Sequence, residues 1–394
     1  MPEEAKKRAW LKGRMIAVFE SWGYEPLETP TIEPLEIFEG EIGEDEKLFF
    51  RFQDPGGRNV ALRYDQTVPS CRVVGQYENQ ITFPFKRYQV QSTFRAEKPQ
   101  KGRYREFIQA DIDIFGIKSP LADAECIAVS IDLYLKLGFK KPVALINSRD
   151  LLTGIPYSAI ASIDKLKKIG EEGVVTDMVS KNIPESDARK YLQKIKSLQP
   201  NDDLKVIFDY LRSSGFKEEN YRFEPTLARS FSYSQGPIWE IVIEGYDRAS
   251  FGGSVGGCER YDDLVERISG KNIPGTGIAF GFDRTLEALE ECNLLPSFKP
   301  VSKVLVTIFS QELFNESLKI TPLIRNSGVN CELYPDPDVK LEKQLKYADQ
   351  KGIPYAIIIG PDEAAKNLVT LKNLSTKSQQ TITLDEVIKT VTSQ

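Results

Sequence analysis

Between Arg87 and Gly116 the chain concentrates side chains that could bind and polarise a charged ligand. In the run Gln89 to Arg95 (QVQSTFR), strand alternation puts Gln89, Gln91, Thr93 and Arg95 on one side. In the run Ile108 to Ile114 (IQADIDI) it puts Gln109, Asp111 and Asp113 on one side, with Ile108, Ala110, Ile112 and Ile114 on the other. The loop between these two segments carries Lys98, Lys101, Arg103 and Arg105. An antiparallel pair with an arginine on one strand and two carboxylates on the next could hold a ligand that has an anionic and a cationic end. The same alternation also describes a plain hairpin with one solvated face.

Composition narrows the chemistry. The 394 residues include no histidine, which removes every mechanism built on a histidine base, nucleophile partner or metal ligand. Catalysis has to rest on carboxylates, arginine and lysine, backbone dipoles, bound cations or the substrate itself. No P-loop and no strand–GxGxxG–helix unit occurs, and the glycines at 252–257 lack that spacing. A net charge of −5 argues against blanket electrostatic binding to nucleic acid but leaves room for a local basic track at 98–105. The five cysteines (Cys71, Cys126, Cys258, Cys292, Cys331) form no CxxC pair, which favours reduced thiols in a cytoplasmic protein over disulfides or a metal site. No apolar run is long enough to cross a bilayer, and no signal peptide precedes the first helix.

These residues need elements to position them. An apolar stripe predicts a helix over 3–22, ended by Gly23. The extended segment 24–32 follows, with Pro26 and Pro30 fitting it to a sheet edge or an interface. A hairpin is expected at 47–63 around Pro55-Gly56-Gly57, then a strand end at Arg63 to Pro69 leading into a helix. A helix at 121–138 and a buried strand at 142–147 come next. Amphipathic helices rich in Lys and Glu suggest a structural insertion at about 157–220. Strands return at 236–245, and GIAFGFDR at 277–284 reads as a strand entering a helix, with Arg284 in its first turn. Past a linker at 296–300, strands alternating with helices predict an α/β domain with a largely parallel sheet.

Several stretches, in this order, resemble the histidyl-tRNA synthetases, a family of class II aminoacyl-tRNA synthetases. The segment 94–107 (FRAEKPQKGRYREF) is similar to the family's motif 2, Gly281 to Arg284 (GFDR) to motif 3, and the surroundings of Pro30 to the dimer-interface motif 1. The segments 63–67 (RYDQT) and 227–233 (LARSFSY) resemble its two histidine-pocket motifs. The resemblance implies an α+β catalytic domain with an antiparallel sheet over 1–298 and an anticodon-binding α/β domain over 301–394. It implies a histidine–tRNA ligase that makes histidyl-adenylate from histidine and ATP, then passes the histidyl group to the 3′ end of tRNA-His. Arg95 would hold the α-phosphate, Glu97 the adenine and Arg284 the γ-phosphate, with Mg2+ on the β- and γ-phosphates and no metal ligands from the protein. Arg229 would be the family's own catalytic arginine at the α-phosphate. Asp65, Thr67 and Gln109 would bind the α-amino and carboxylate ends of histidine, and Asp113 and Tyr233 the two ring nitrogens. Gln100, Lys101 and Arg103 would meet the acceptor end of tRNA, and a cytoplasmic homodimer is expected.

The chain departs from the family pattern at a few positions. Ser230 stands where the family has glycine, and Tyr233-Ser234 where it has two tyrosines. The usual GGGRYD reads Gly257-Cys258-Glu259-Arg260-Tyr261-Asp262, with larger side chains where backbone should approach the ligand. Glu259 could block the pocket or supply an extra carboxylate to the imidazole. The short segment that usually precedes the family's first helix is also missing before Met1. The departures leave open a non-catalytic relative that senses histidine or binds tRNA, and a synthetase-like enzyme for another amino acid.

Overall fold

A computed structural model of the chain describes residues 1–39, 48–98, 104–228, 233–246 and 254–392. The chain divides into two units, Met1–Leu295 and Pro296–Gln394.

The strands of the first unit are β1 (Glu25–Pro26), β2 (Ile32–Pro34), β3 (Arg51–Gln53), β4 (Asn59–Leu62), β5 (Phe85–Phe94) and β6 (Glu106–Phe115). They continue as β7 (Pro142–Ser148), β8 (Tyr221–Phe223), β9 (Gln235–Ile243), β10 (Ser254–Arg260) and β11 (Gly275–Gly281). The main sheet runs β1-β5-β6-β11-β10-β9-β7-β8. Its neighbours from β5 to β7 are antiparallel, and only the edge strands β1 and β8 pair in parallel. A separate sheet, β2-β4-β3, holds the expected hairpin, in which Asp54 Oδ1 accepts from Gly56 N (2.9 Å) and Arg58 N (3.0 Å).

The first helices are α1 (Pro2–Ser21), α2 (Thr67–Gln76) and α3 (Pro120–Lys136), the last capped by Ser119 Oγ, which accepts from Leu121 N at 3.2 Å, with Pro120 at its first position. Then come α4 (Tyr157–Ile163), α5 (Leu166–Ser180), α6 (Glu185–Lys196), α7 (Asp202–Ser213), α8 (Leu264–Ser269) and α9 (Phe282–Glu291). Phe19 of α1, Ile131 of α3, Leu211 of α7 and Leu289 of α9 share one core with Tyr88, Val90, Ala110, Ile112 and Ile114 of β5 and β6. Each such large side chain contributes about 1.5–3 kcal/mol by leaving water. This is the apolar face that alternation in β6 predicts.

The polar face of the same hairpin differs from the solvated-face reading. Arg87, Gln89, Asp111 and Asp113 are buried there, under the segment at 29–35 and the start of α2. Gln89 Nε2 donates to Thr29 Oγ1 (2.9 Å), and Gln66 Nε2 donates to Gln91 O (2.9 Å) and Gln109 O (3.0 Å). Local alternation reports which residues share a face, not what will later be folded over it.

The helical stretch at 157–220 also differs from a single insertion. Helices α4 to α6 enclose a small core of their own, including Ile160, Met178 and Leu192. Helix α7 instead sends Leu204, Ile207 and Leu211 into the main core beside α3. Its apolar stripe was visible in the sequence, but a stripe does not name its partner.

The second unit contains β12 (Val304–Val306), α10 (Phe314–Asn326), β13 (Cys331–Leu333), α11 (Leu341–Gln350) and β14 (Tyr355–Ile358). It closes with α12 (Pro361–Lys366), β15 (Val369–Asn373), β16 (Gln379–Ile382) and α13 (Leu384–Thr392). Its sheet runs β13-β12-β14-β15-β16. The first three strands are parallel, but β15 and β16 are antiparallel, so the sheet is mixed rather than largely parallel. The five residues between β15 and β16 are too few for a crossover and force the antiparallel hairpin.

Candidate active site

Strand register builds the floor of the site. Arg87, Asp113, Gly277 and Glu259 are successive partners across β5, β6, β11 and β10. The adjacent row on that face is Gln89, Asp111, Ala279 and Gly257. Two acidic side chains therefore flank a patch where Gly277, Ala279 and Gly257 add almost no bulk. A Cβ on Gly277 would lie 2.1 Å from Asp113 Oδ1 and 2.5 Å from Ile112 O. Glycine at that position is what lets the Asp113 carboxyl lean across β11.

A cavity stands on this floor, and Asp65, Thr67, Arg95, Gln109, Asp113 and Tyr233 all line it. Residues as distant in sequence as Asp65 and Tyr233 thus converge. Tyr64, Glu259 and Tyr261 complete its wall.

Each wall residue is held by its neighbours. Asp113 pairs with the Arg87 guanidinium at 2.5 Å and accepts the Tyr261 hydroxyl proton at Oδ1. Burial pushes its carboxyl up, while Arg87 and Tyr261 pull it back down. Asp65 precedes α2, and its Oδ1 accepts from Val68 N at 3.1 Å. Burial pushes Asp65 up to about 6, against the Val68 bond and the nearby Arg95 and Arg87, with Glu259 adding repulsion. Arg63 clamps the segment before β2 to the hairpin, donating to Thr29 O (2.7 Å), Gln91 Oε1 (3.0 Å) and Ser92 O (2.6 Å). The Arg95 guanidinium is sandwiched, 4.2 Å from the Tyr64 ring centroid and 5.1 Å from that of Phe107.

Among the described residues, Gln109 Oε1 and both Asp111 carboxyl oxygens accept no hydrogen bond although buried. Burial, reinforced by Asp113 and Asp65 and opposed by Arg87, holds the Asp111 carboxyl well above the usual carboxylate range. Of these two residues Gln109 lines the cavity, and its unbonded carbonyl oxygen suits an N–H donor on a ligand.

Arg284 occupies the first turn of α9, as its sequence context predicts, with Nη1 3.5 Å from Ser254 O. Gly281, just before α9, pairs with Gln109, so Arg284 belongs to the end of the sheet where β5 delivers Arg95. Glu97 follows Arg95 by two residues, and its carbonyl accepts from Arg105 Nε at 3.2 Å. Neither Arg284 nor Glu97 is among the described residues that line the cavity. Arg229, Gln100, Lys101 and Arg103 lie outside the described residues.

The structure corrects one sequence expectation and adds residues the sequence reading passed over. Cys258 is among the residues lining the cavity, but its thiol lies in the helix-covered core and donates to Trp239 O at 3.0 Å, so its added bulk is turned away from the cavity. Glu259, one residue on, faces the cavity. Arg87 was detectable from its two-residue spacing to Gln89, and Tyr261 from the same spacing to Glu259. Tyr64 had no such signal, since it lies past the end of β4. Arg260, on the opposite face to Glu259, is structural: it donates from Nη2 to Asp123 Oδ2 at 2.6 Å, and Thr276 Oγ1 donates to Asp123 Oδ1 at 2.6 Å.

Comparison with known proteins agrees with this architecture. Residues 1–185 match the family model of histidyl-tRNA synthetase, and residues 303–394 match that of the anticodon binding domain. The histidine–tRNA ligase of Cytophaga hutchinsonii is 35% identical over 98% of this chain and 96% of its own length. That of Wolinella succinogenes is 34% identical over 96% of this chain and 93% of its own length. The crystal structure of histidyl-tRNA synthetase from Nostoc sp. PCC 7120 superposes with a TM-score of 0.81 at 26% identity, covering 99% of this chain and 96% of that one.

Proposed function

The chain belongs to the histidyl-tRNA synthetase family, and on that premise we propose how its residues divide the work of an aminoacyl-tRNA ligase. The reaction is histidine–tRNA ligation: the histidine carboxylate attacks the α-phosphate of ATP, pyrophosphate leaves, and the histidyl group moves to the 3′ end of tRNA-His. In-line attack by a carboxylate needs positioning and charge neutralisation rather than a protein nucleophile or base. A site without histidine side chains meets that requirement.

Arg95 neutralises the α-phosphate, Arg284 meets the γ-phosphate at the N-terminal turn of α9, and Glu97 orients the adenine. Arg229 is assigned to the α-phosphate by family resemblance alone. Asp65, Thr67 and Gln109 take the α-amino and carboxylate ends, and Asp113 and Tyr233 face the imidazole. The observation that carries this reading is the convergence of Asp65, Thr67, Arg95, Gln109, Asp113 and Tyr233 on one cavity. Among the described residues no group of three or more His, Cys, Asp or Glu is arranged to hold a metal ion. Mg2+ is assigned to the β- and γ-phosphates of the incoming nucleotide, where it would neutralise charge on the leaving pyrophosphate.

ATP–pyrophosphate exchange with each amino acid in turn tests the reading. Exchange is expected with histidine; stimulation by another amino acid, or by none, would replace it. The pH profile gives a finer check. Asp65 is neutral below about 6 and ionised above it, so kcat/KM for histidine should climb as pH rises through that value. Asp65→Asn should remove the climb, and a variant that keeps it would clear Asp65 of binding the ammonium group.

A homodimer is proposed through the segment around Pro30. Its support is the exposed apolar pair Ile32 (51% exposed) and Phe52 (45% exposed) on the β2-β4-β3 sheet. Sedimentation at micromolar concentration should give a dimer, and Ile32→Glu combined with Phe52→Glu should give a monomer; an unchanged mass would move the interface elsewhere. Gln100, Lys101 and Arg103 are assigned to the tRNA acceptor end, and 301–394 to the anticodon. A cytoplasmic setting is supported by the five cysteines, all free thiols. Among the described residues no helix is long and apolar enough to cross a membrane.

A further inference from the structure

Glu259 and Ser234 depart from the family pattern at positions 25 residues apart, and the structure joins them. Ser234 Oγ donates to Glu259 Oε2, and both side chains are buried. A tyrosine at 234 and a glycine at 259 would leave neither partner of this bond. The two departures are one coupled change: the small serine makes room for the glutamate and orients it.

Glu259 stands in the same cross-strand row as Asp113, with Gly277 between them. Two interstrand spacings separate their backbones, about 9.6 Å. The Asp113 carboxyl leans from its own strand over Gly277, so a five-membered ring that reaches both carboxylates rests above the floor, with a hydrogen bond of about 2.8 Å to each. Resting on the proposed histidine-activating function, we infer that Glu259 is a specificity-determining residue, its carboxylate accepting the second ring N–H of bound histidine while Asp113 accepts the first. Ser234 is its positioning residue. The carboxylate takes the ring nitrogen that family resemblance assigns to Tyr233, which packs edge-on against Tyr261.

Donor counting fixes the charge of the bound ring. A ring that donates to both carboxylates needs two N–H groups, and a neutral imidazole has one. A ring bonded on both sides is therefore the protonated ring, whose free pKa is about 6.5. Among the described residues, the other charged or titratable groups around Glu259 are Asp113 with Arg87 and Tyr261, Tyr233 beside Ser234, Asp65 and Arg95 on the facing wall, and Arg149 after β7. Of these Asp65 titrates in the same range, but its effect on histidine binding has the opposite sign. It saturates above about 6, so the window above pH ~6.5 isolates the ring.

The test is ATP–pyrophosphate exchange with histidine from about pH 6.5 to 8, with the full-length protein and with Glu259→Gln. In the unmodified protein kcat/KM for histidine should fall about tenfold across that range. In Glu259→Gln, whose amide can donate to an unprotonated nitrogen, the fall should shrink to less than about twofold, and KM for histidine at the acid end should rise about tenfold with KM for ATP unchanged. Ser234→Ala should show a smaller rise in KM for histidine and keep the pH dependence. A flat profile in the unmodified protein, or an unchanged profile in Glu259→Gln, overturns the inference while leaving histidine activation standing. Absence of any histidine-dependent exchange in the unmodified protein overturns the function itself.

Discussion

Gly277→Ala is expected to lower kcat/KM for histidine in ATP–pyrophosphate exchange by about a hundredfold or more. The added methyl would sit 2.1 Å from Asp113 Oδ1 and 2.5 Å from Ile112 O, well inside contact distance of both. The Asp113 carboxyl could swing away, but the Ile112 carbonyl belongs to the backbone of β6 and cannot. Relief requires β6 and β11 to separate, and Asp113 to abandon its place beside Arg87 and Tyr261 as well. A shift of about 1 Å at such a site can cost a hundredfold in rate. Overpacking of this kind also costs about 1–3 kcal/mol of stability. The informative comparison is between the two losses. Folded protein with a moderately lowered Tm and little histidine-dependent exchange fits the floor described above. A variant with lowered Tm but intact exchange would mean that ligand does not rest over Gly277.

The second large effect is expected at Arg95. Arg95→Ala should reduce the exchange rate about a thousandfold, the scale seen when a preorganised donor to developing negative charge is removed. Its folding should change little, because stacking between the Tyr64 and Phe107 rings is worth only about 0.5–1 kcal/mol per cation–π contact. Arg95→Lys is the sharper variant. It keeps the charge but loses the planar fork and the stacking that fix its direction, so it should recover less than about tenfold of the lost rate. Exchange kinetics at saturating histidine, alongside a thermal melt of each variant, separates these effects. If the lysine variant were nearly as active as the unmodified protein, Arg95 would be acting as a diffuse charge rather than as an oriented phosphate ligand.

The departures from the family pattern look different once folded. Cys258 and Glu259 are adjacent in sequence, and both replace glycine, but strand alternation sends them to opposite faces. Cys258 joins the core beside Trp239, with its thiol turned away from the cavity. Glu259 joins the cavity wall and acquires Ser234 as its partner. Of the four substituted positions Ser230 lies outside the described residues, and the other three are one packing change and one coupled polar pair.

Much of this protein was determined locally. Period-two alternation in β6 separated the core side chains Ala110, Ile112 and Ile114 from the cavity side of Gln109 and Asp113, because a strand cannot present them otherwise. Arg284 fell in the first turn of a helix because Gly281 ends a strand and Phe282 begins an amphipathic run. Motif order alone identified the family and nominated six residues that line the cavity, together with Glu97 and Arg284, which do not.

The tertiary structure decided what depends on long-range partners. The polar face of the β5–β6 hairpin was legible, but whether water or protein covered it depended on Thr29, Arg63 and Gln66 folding over it. The partner of α7 and the antiparallel turn of β15 were decided in the same way, by packing and loop length. Above all, the row Arg87–Asp113–Gly277–Glu259 exists only through cross-strand register, which no single segment encodes. Side-chain type is written in the chain. Which carboxylate faces which across a glycine is set when four distant strands align.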